Sequence, residues 1–316
     1  MRSVREIPDH LIRYDPDRGT LADQSGDHMK IANLRGRVVL VVDGGVIDIH
    51  DASDGRFGPD PVSIYERWDD LRTWAATASG PVIPLDEAKL DEAELGAPSP
   101  APRQVFAIGL NYASHAAEAG MDLPALPAVF TKFPASLGGP FDPIELSGEM
   151  VDWEVELVVV MGRRADRVSE ADAWAHVAGL CVGQDVSDRV VQFAAGSQFS
   201  LGKSYRTYGP TGPWLVTPDE LADPDDLGIG CSIDGQAVQD DRTTGLVFDV
   251  PRLIAEISAV LPMLPGDLIF TGTPAGVGVT SQPPRFLKEG EVLESWIEGI
   301  GTIRNRVVAP AAVPVR

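Results

Sequence analysis

Residues 152–162 have the sequence DWEVELVVVMG, in which alternating acids continue into an apolar run. If this segment is a β-strand, Asp152, Glu154 and Glu156 share one face, because successive side chains point to opposite faces. The apolar run is typical of a strand that is buried on both faces. Acids that enter a protein core need a positive charge nearby, and Mg²⁺ and Mn²⁺ readily take carboxylate oxygens as ligands. The segment therefore indicates either a divalent-metal site or a solvated strand end with scattered acids.

The composition narrows the classes of partner. The chain has 316 residues, with 47 acids against 26 bases and a formal net charge of −21. Phosphate backbones and anionic membranes are bound by clustered lysines and arginines, so we expect neither a nucleic acid nor a membrane as partner. A chain of this length can form one large domain or, as we expect, a large domain and a small one.

Cysteine content and hydropathy indicate the compartment. Cys181 and Cys231 form no C-x-x-C pair, which argues against a disulfide framework or a zinc ribbon. No apolar run approaches the ~20 residues of a spanning helix, and the first residues contain no apolar signal-peptide core. We therefore expect a soluble protein of the reducing cytoplasm.

A proline-rich segment, GAPSPAP at residues 96–102, predicts a domain boundary, because proline continues neither a helix nor a strand. Residues 1–102 are expected to form a small N-terminal α/β domain, and residues 103–316 a larger catalytic domain. The elements expected before the boundary are two strands within residues 37–49, joined at the Asp43-Gly44-Gly45 turn, and a helix at 64–78.

The larger domain combines many strands with few helices, which predicts an α+β fold. Besides the acidic strand, the expected strands are 104–109, 268–271, 292–297 and a hairpin at 229–238 with its turn at Asp234-Gly235. The expected helices are 113–119, ended by Gly120, then 170–180, and one that Asp249 caps and that runs to about residue 261. Residues 121–145 are rich in proline and glycine and are predicted to be an irregular loop.

Several other positions carry groups suited to chemistry. His115 and Glu118 stand three residues apart, so on a helix they form either a general base for activating water or a surface pair. Asp185 follows a predicted strand and is either a third metal ligand or a turn residue. The segment TGTPAGVG at 271–278 lacks the full dinucleotide fingerprint, and either a backbone nest for an oxyanion or a plain tight turn fits it.

Taken in order, five blocks of the chain closely resemble the fumarylacetoacetate hydrolase family. They are Gly109-Leu110-Asn111-Tyr112-x-x-His115-x-x-Glu118, the D-x-E-x-E block at 152–156, Gln184-Asp185-Val186-Ser187-x-Arg189-x-x-Gln192, Gly202-Lys203-Ser204 and the segment 271–278. The resemblance covers roughly residues 104–308. It implies a mixed β-roll catalytic domain behind a variable N-terminal domain, and a homodimer.

The resemblance also implies a metal site. The ligands of Mg²⁺ or Mn²⁺, or alternatively of Ca²⁺, would be Glu154, Glu156 and Asp185. Asp152 would lie behind these ligands without touching the ion. Two positions beside Asp185 depart from the family pattern, because Gln184 stands where asparagine is usual and Asp188 where alanine is usual.

Catalytic and substrate-binding roles follow from the same resemblance. His115 and Glu118 would belong to a lid helix and would act in catalysis together with Lys203. The residues expected to line the substrate and its developing oxyanion are Arg189, Gln192, Gly272 and Thr273. The substrate itself is expected to be a small oxo acid.

As a hypothesis, the chain is a metal-dependent hydrolase that cleaves a carbon–carbon bond of a 2,4-dioxo acid of the acylpyruvate type. Glu118 would orient His115, which would take a proton from the attacking water. Lys203 and the turn at Thr273 would stabilise the oxyanion, and the metal the enolate that cleavage leaves. The same site would also support oxaloacetate decarboxylation, isomerisation of a 2-oxo-diene diacid or cleavage of a 2,4-diketo-3-deoxy sugar acid. A catalytically silent metal-binding homologue is the alternative from another class.

Overall fold

A computed structural model describes residues 29–86, 89–90, 94–194 and 196–310 of the chain. Its strands, numbered in chain order, are β1 (Lys30–Leu34), β2 (Arg37–Val42), β3 (Gly45–Asp48), β4 (Val82–Pro84), β5 (Leu95–Gly96), β6 (Val105–Gly109), β7 (Ala128–Thr131), β8 (Leu137–Gly138), β9 (Ile144–Glu145), β10 (Val151–Asp152), β11 (Val155–Met161), β12 (Val177–Gln184), β13 (Ser187–Asp188), β14 (Gly209–Val216), β15 (Gly228–Ile233), β16 (Gln236–Arg242), β17 (Leu268–Phe270), β18 (Val292–Ile297) and β19 (Gly301–Val308). The α-helices are α1 (Ile49–Ala52), α2 (Trp68–Ala75), α3 (Ala113–Ala119), α4 (Arg189–Ala194) and α5 (Val250–Val260). The longer 3₁₀ helices are Pro61–Arg67 and Glu170–His176. The fold is α+β, as the sequence predicts, and within the described ranges no helix is long and apolar enough to cross a membrane.

The main sheet has the strand order β4-β3-β2-β1-β14-β12-β11-β17-β6-β7, while β5 pairs with β1 and β8 with β14. The N-terminal strands continue the sheet of the larger region, because β1 pairs with β14 through Lys30 opposite Val216. Strands from both sides of residues 96–102 thus share one sheet. The domain boundary at these residues stays a prediction.

A second sheet, of order β16-β15-β18-β19-β9, packs against one face of the main sheet. Val155, Leu157 and Val159 of β11 enter the core between the two sheets. Val158 and Val160 enter a second core on the opposite face, which α2 covers. Strand β11 is therefore buried on both faces, as its apolar sequence predicts.

Cap and turn residues lie at the predicted ends of two helices and at the predicted turn of a hairpin. Helix α3 ends at Gly120, whose φ of 66° is left-handed. Helix α5 begins after Asp249, whose side chain accepts a hydrogen bond from the N–H of Arg252. The predicted hairpin is β15–β16, with Asp234 and Gly235 between its strands.

The prediction of one continuous acidic strand is wrong. Strand β10 ends at Asp152 and β11 begins at Val155. The main-chain N–H of Glu154 donates to the side-chain oxygen of Gln184 instead of to a strand carbonyl, at 2.8 Å. Strand β10 pairs with β13, so that Asp152 lies opposite Ser187.

Two other element predictions are also wrong. Residues 121–145 contain β7, β8 and β9, and β7 forms an edge of the main sheet by pairing with β6. The helix predicted at 170–180 is a 3₁₀ helix that ends at His176, after which β12 begins. The small apolar residues of β12 fit between its neighbours β11 and β14, a pairing between distant segments that local periodicity cannot reveal.

Candidate metal centre and lid

Glu154, Glu156 and Asp185 form a buried cluster at the carboxyl end of β12. One oxygen from each of these carboxylates lies within 4.8 Å of the others. Glu156 belongs to β11, opposite Gly183 of β12, and Asp185 follows the end of β12. The N–H of Asp185 donates to the main-chain carbonyl of Glu154 at 2.9 Å, which fixes the two segments against each other. The three acids named by the sequence analysis are thus brought together.

The side chain of Gln184 links Glu154 to Ser295 beside this cluster. Its side-chain oxygen accepts the N–H of Glu154, and its amide nitrogen donates to Ser295 Oγ at 2.8 Å. Asp188, the other departure from the family pattern, accepts from Ser147 Oγ at 2.5 Å and from the N–H of Val191 at 3.0 Å. Both residues therefore support the main chain around the cluster without entering it.

Buried cations surround the carboxylates. Lys203 Nζ lies 2.7 Å from Glu154 Oε2 and 2.7 Å from Asp185 Oδ2. Arg189 donates to Glu154 Oε1 at 2.7 Å and binds Asp152 Oδ2 through two nitrogens, at 2.7 and 2.8 Å. Lys132 Nζ lies 2.7 Å from Asp185 Oδ1. The four acids of the centre are Asp152, Glu154, Glu156 and Asp185, and its three cations are Lys132, Arg189 and Lys203.

Glu156 is the carboxylate of the centre that forms no ion pair with these three cations. Among the described residues no cation is in ion-pair contact with its carboxylate, and its Oε2 accepts the N–H of Gly272 at 2.8 Å. Burial raises its pKa well above the ordinary value, and the negative charges of Asp185 and Glu154 raise it further, while the charge of Lys203 and the N–H of Gly272 oppose the shift only in part. Burial also raises the pKa of Glu154, but Lys203 and Arg189 outweigh it and hold that pKa at about 2. Three carboxylates that converge as an all-oxygen donor set, one of them without an ion-pair partner, fit a hard divalent cation such as Mg²⁺ or Mn²⁺.

Helix α3 carries His115 close enough to this centre to interact with the charges of Glu154 and Arg189. Burial lowers the pKa of His115, and the nearby charge of Glu154 opposes that shift, so the imidazole is neutral at pH 7. Its Nδ1 has no hydrogen-bond partner among the described residues and lies 3.7 Å from Glu118 Oε2. The carboxylate of Glu118 instead accepts the N–H of Gly276, with oxygens at 3.1 and 3.2 Å. Glu118 therefore ties α3 to the loop that follows β17.

The predicted substrate residues lie on two sides of the centre. Gln192 Oε1 accepts from Arg189 Nη1 at 2.8 Å, and both side chains are buried. Gly272 binds Glu156, and the hydroxyl of Thr273 accepts from Gln239 Nε2 at 2.8 Å. Their roles toward a substrate stay predictions.

Lys132 and Gln239 are buried polar residues of the site that the sequence analysis missed. Gln239 accepts the N–H of Val155 at 3.0 Å while it holds Thr273, so it links β11 to the loop after β17. A lysine between Phe130 and Phe133 was the one local signal for Lys132, because aromatic neighbours are unusual around a solvated lysine. Gln239 sits in a strand of polar, mostly exposed residues, and nothing in that strand distinguishes it.

Comparison with known proteins identifies the same family as the five sequence blocks. Residues 104–308 match the family described as fumarylacetoacetate (FAA) hydrolase, C-terminal. The mitochondrial oxaloacetate tautomerase of Rattus norvegicus is 40% identical over 269 residues, which are 84% of this chain and 85% of that protein. An HpcE-like protein from Mycobacterium smegmatis superposes with a TM-score of 0.84 at 48% identity, covering 89% of this chain and 99% of that one. A maleylpyruvate hydrolase from Sphingobium sp. SYK-6, crystallised with manganese(II) and pyruvate, superposes with a TM-score of 0.71 at 28% identity, covering 89% and 100%.

Proposed function

The chain belongs to the fumarylacetoacetate hydrolase family, and on that premise we propose that it is a divalent-metal-dependent oxaloacetate tautomerase. In this reaction a proton moves between the carbon beside the oxo group and the oxo oxygen of a 2-oxo diacid. The observation that carries the proposal is an imidazole whose pKa is lowered by burial and whose Nδ1 makes no hydrogen bond, within range of the charge of Glu154 in a buried triad of carboxylates.

The triad supplies the electrostatic part of the chemistry. When Mg²⁺ or Mn²⁺ is held by Glu154, Glu156 and Asp185, it contributes Lewis-acid polarisation of the oxo group. The ammonium of Lys203 and the main chain at Gly272 and Thr273 are the groups suited to a developing enolate oxygen.

His115 supplies the proton transfer. Burial keeps its imidazole neutral, and its Nδ1 is not engaged by Glu118. A neutral imidazole can accept the proton from carbon and return it to oxygen, so tautomerisation needs no water fixed by a His–Glu pair. The 3.7 Å separation between His115 and Glu118 supports this simpler use of the base. The identity to the rat tautomerase, over most of both chains, supports it as well.

Hydrolysis of an acylpyruvate is the second candidate. It is supported by the maleylpyruvate hydrolase that was crystallised with manganese(II) and pyruvate. It would require His115 to place and deprotonate a water molecule, with Glu118 turned from Gly276 toward the imidazole.

We also propose that the protein acts on small oxo acids as a homodimer, which sedimentation analysis would check.

A spectroscopic assay separates the candidates. We expect the protein with Mg²⁺ or Mn²⁺ to accelerate the conversion of enol- to keto-oxaloacetate, and EDTA to abolish the acceleration. Acetylpyruvate and fumarylpyruvate, followed by pyruvate release, test the hydrolase in parallel, and pyruvate release from oxaloacetate tests decarboxylation. Faster pyruvate release than tautomerisation would replace the first candidate by one of the others. No turnover of any substrate would favour a silent homologue.

A further inference from the structure

Lys132 is a fully buried lysine that sits immediately after β7. Its Nζ lies 2.7 Å from Asp185 Oδ1 and also donates to the main-chain carbonyl of Lys203. Lysine is almost never fully buried unless it is paired, so its environment is specific. Burial lowers the pKa of Lys132, while Asp185 opposes that change.

The path of the lysine side chain is narrow. Its Nζ lies 5.8 Å from the centre of the Phe270 ring. A Cβ placed on Gly209 would come within 3.1 Å of Lys132 Cε. These contacts restrict the conformations of the side chain and direct its ammonium toward Asp185 and the main chain of Lys203.

At that place the ammonium joins two members of the centre. Asp185 offers one oxygen to Lys132 and the other to Lys203, at 2.7 Å each. Lys203 is thus held twice, since its side chain contacts Asp185 and its main chain accepts from Lys132. Removing the ammonium of Lys132 would release the main chain of Lys203 and one oxygen of Asp185 together.

Hydrogen bonds on both sides of Lys132 join β7 and its continuation to the segment that carries Lys203. The N–H of Thr131 donates to Ser200 Oγ at 3.4 Å, and the N–H of Phe133 donates to Ser204 Oγ at 3.0 Å. Lys132 forms the buried middle of this junction, while Phe133 is 47% exposed. We propose that Lys132 is a positioning residue, which sets the place of the Lys203 ammonium relative to Glu154 and Asp185.

The inference has a distinctive consequence for metal binding. Lys132 adds positive charge beside Asp185, so its removal makes the centre more negative and should not weaken the binding of a cation. A residue that merely held the fold together would lower metal affinity, stability and turnover at once. This inference rests on the proposed function for its activity readout, but its binding and structural readouts do not.

The test compares K132M, K132Q and the control K30M. Methionine keeps most of the length of the side chain without its charge, glutamine keeps a neutral hydrogen-bond-donating amide, and Lys30 lies on β1, away from the centre. We expect K132M to lower kcat for oxaloacetate tautomerisation by at least ~10-fold, because displaced catalytic groups cost one to two orders of magnitude. K132Q should fall between K132M and the parent, and K30M should match the parent. Calorimetric titration with Mn²⁺ should give K132M a dissociation constant no higher than that of the parent.

Three results would overturn the inference. One is unchanged kcat in K132M, and another is loss of Mn²⁺ binding in parallel with kcat in both Lys132 variants. The third is a crystal structure of K132M in which Lys203 keeps its parental position and still bridges Glu154 and Asp185; displacement of the Lys203 Nζ would support the inference. If K132M does not fold, the structure of K132Q takes its place.

If the parent itself has no activity, the proposed function fails. The crystal structure then decides the inference by itself.

Discussion

The carboxylate centre and helix α3, the expected lid, are built in opposite ways. Glu156 lies within β11, a strand paired on both sides and buried on both faces, and Asp185 directly follows its neighbour β12. Helix α3 has seven residues, of which Ala116 is the buried one. It is held to the rest of the protein largely through side chains, by Glu118 on Gly276 and Ser114 on Asp241.

This difference separates two tasks. Strands that are packed on both faces hold charged ligands in place although the ligands repel one another. A short, mostly exposed helix can close and open over them at little cost. Changes in the centre should therefore affect metal binding, whereas changes in the lid should affect proton transfer or substrate affinity and leave metal binding intact.

The largest effect is expected from E156Q. It should abolish Mn²⁺ binding and lower kcat by at least about 1,000-fold, because several kcal/mol of electrostatic stabilisation depend on the cation. Without metal, however, E156Q should be at least as stable as the parent, because no cation among the described residues is in ion-pair contact with Glu156 and its burial disfavours the charged form. Its folded pKa is raised, so the metal-free parent should lose stability as pH rises from the ordinary carboxyl pKa through that raised value, and E156Q should lose less.

E154Q is the matched control for this charge argument. Glu154 binds Lys203 and Arg189, so its neutralisation should cost stability in the metal-free protein, in contrast to E156Q. Thermal unfolding in EDTA across the pH range compares the two variants. Equal destabilisation by both would contradict the assignment of Glu156 as the acid without an ion pair.

A smaller but still large effect is expected from H115A. Loss of the imidazole should lower kcat by at least ~100-fold, because a positioned base contributes two or more orders of magnitude. Calorimetry should show unchanged Mn²⁺ affinity, since His115 lies on α3 and is not one of the three carboxylates. H176A, which removes a histidine from the far end of a 3₁₀ helix, is the control and should retain full activity. Unaltered turnover in H115A would remove His115 from the mechanism.

A moderate effect is expected from S114A, which deletes the 2.9 Å hydrogen bond from α3 to Asp241 and the longer one, at 3.4 Å, that Ser114 Oγ accepts from the N–H of Ala275. A bond of this kind contributes about 1 kcal/mol, so kcat/KM should fall about fivefold, mostly through a higher KM. S169A removes a comparable exposed bond, from Ser169 to Asp172 at 2.7 Å, away from the centre. If S114A and S169A gave the same kinetics, the Ser114–Asp241 contact would have no part in lid closure.

The smallest effect is expected from G120A. Its φ of 66° is unfavourable for alanine, and the strain should cost about 1 kcal/mol at the end of the lid helix. G44A is a matched control, because Gly44 has a φ of 77° and equal open space in the N-terminal hairpin. Both variants should lose similar stability in thermal unfolding, but only G120A should lower kcat/KM, by about twofold. Equal activity in the two would show that the end of α3 does not affect catalysis.

The two regions also differ in how far the sequence predicts them. Glu156 was identifiable because strand alternation is local, Glu154 because of its place in the D-x-E-x-E block although it lies before β11, and α3 because Gly120 ends it. The cations that neutralise the acids were not predictable as partners, since Lys132 lies 53 positions from Asp185 and Lys203 lies 49 from Glu154. The attachment of Glu118 to Gly276, 158 positions away, likewise depends on how β6 and β17 pair. Local patterns thus indicate which residues carry charge, but strand pairing decides which charges meet.

The central claim is that three carboxylates hold one divalent cation beneath His115. Anomalous diffraction from a crystal soaked in MnCl₂ tests it most directly. We expect a single strong manganese peak in contact with oxygens of Glu154, Glu156 and Asp185. An absent peak, or one outside this triad with the three side chains unchanged, would contradict the claim.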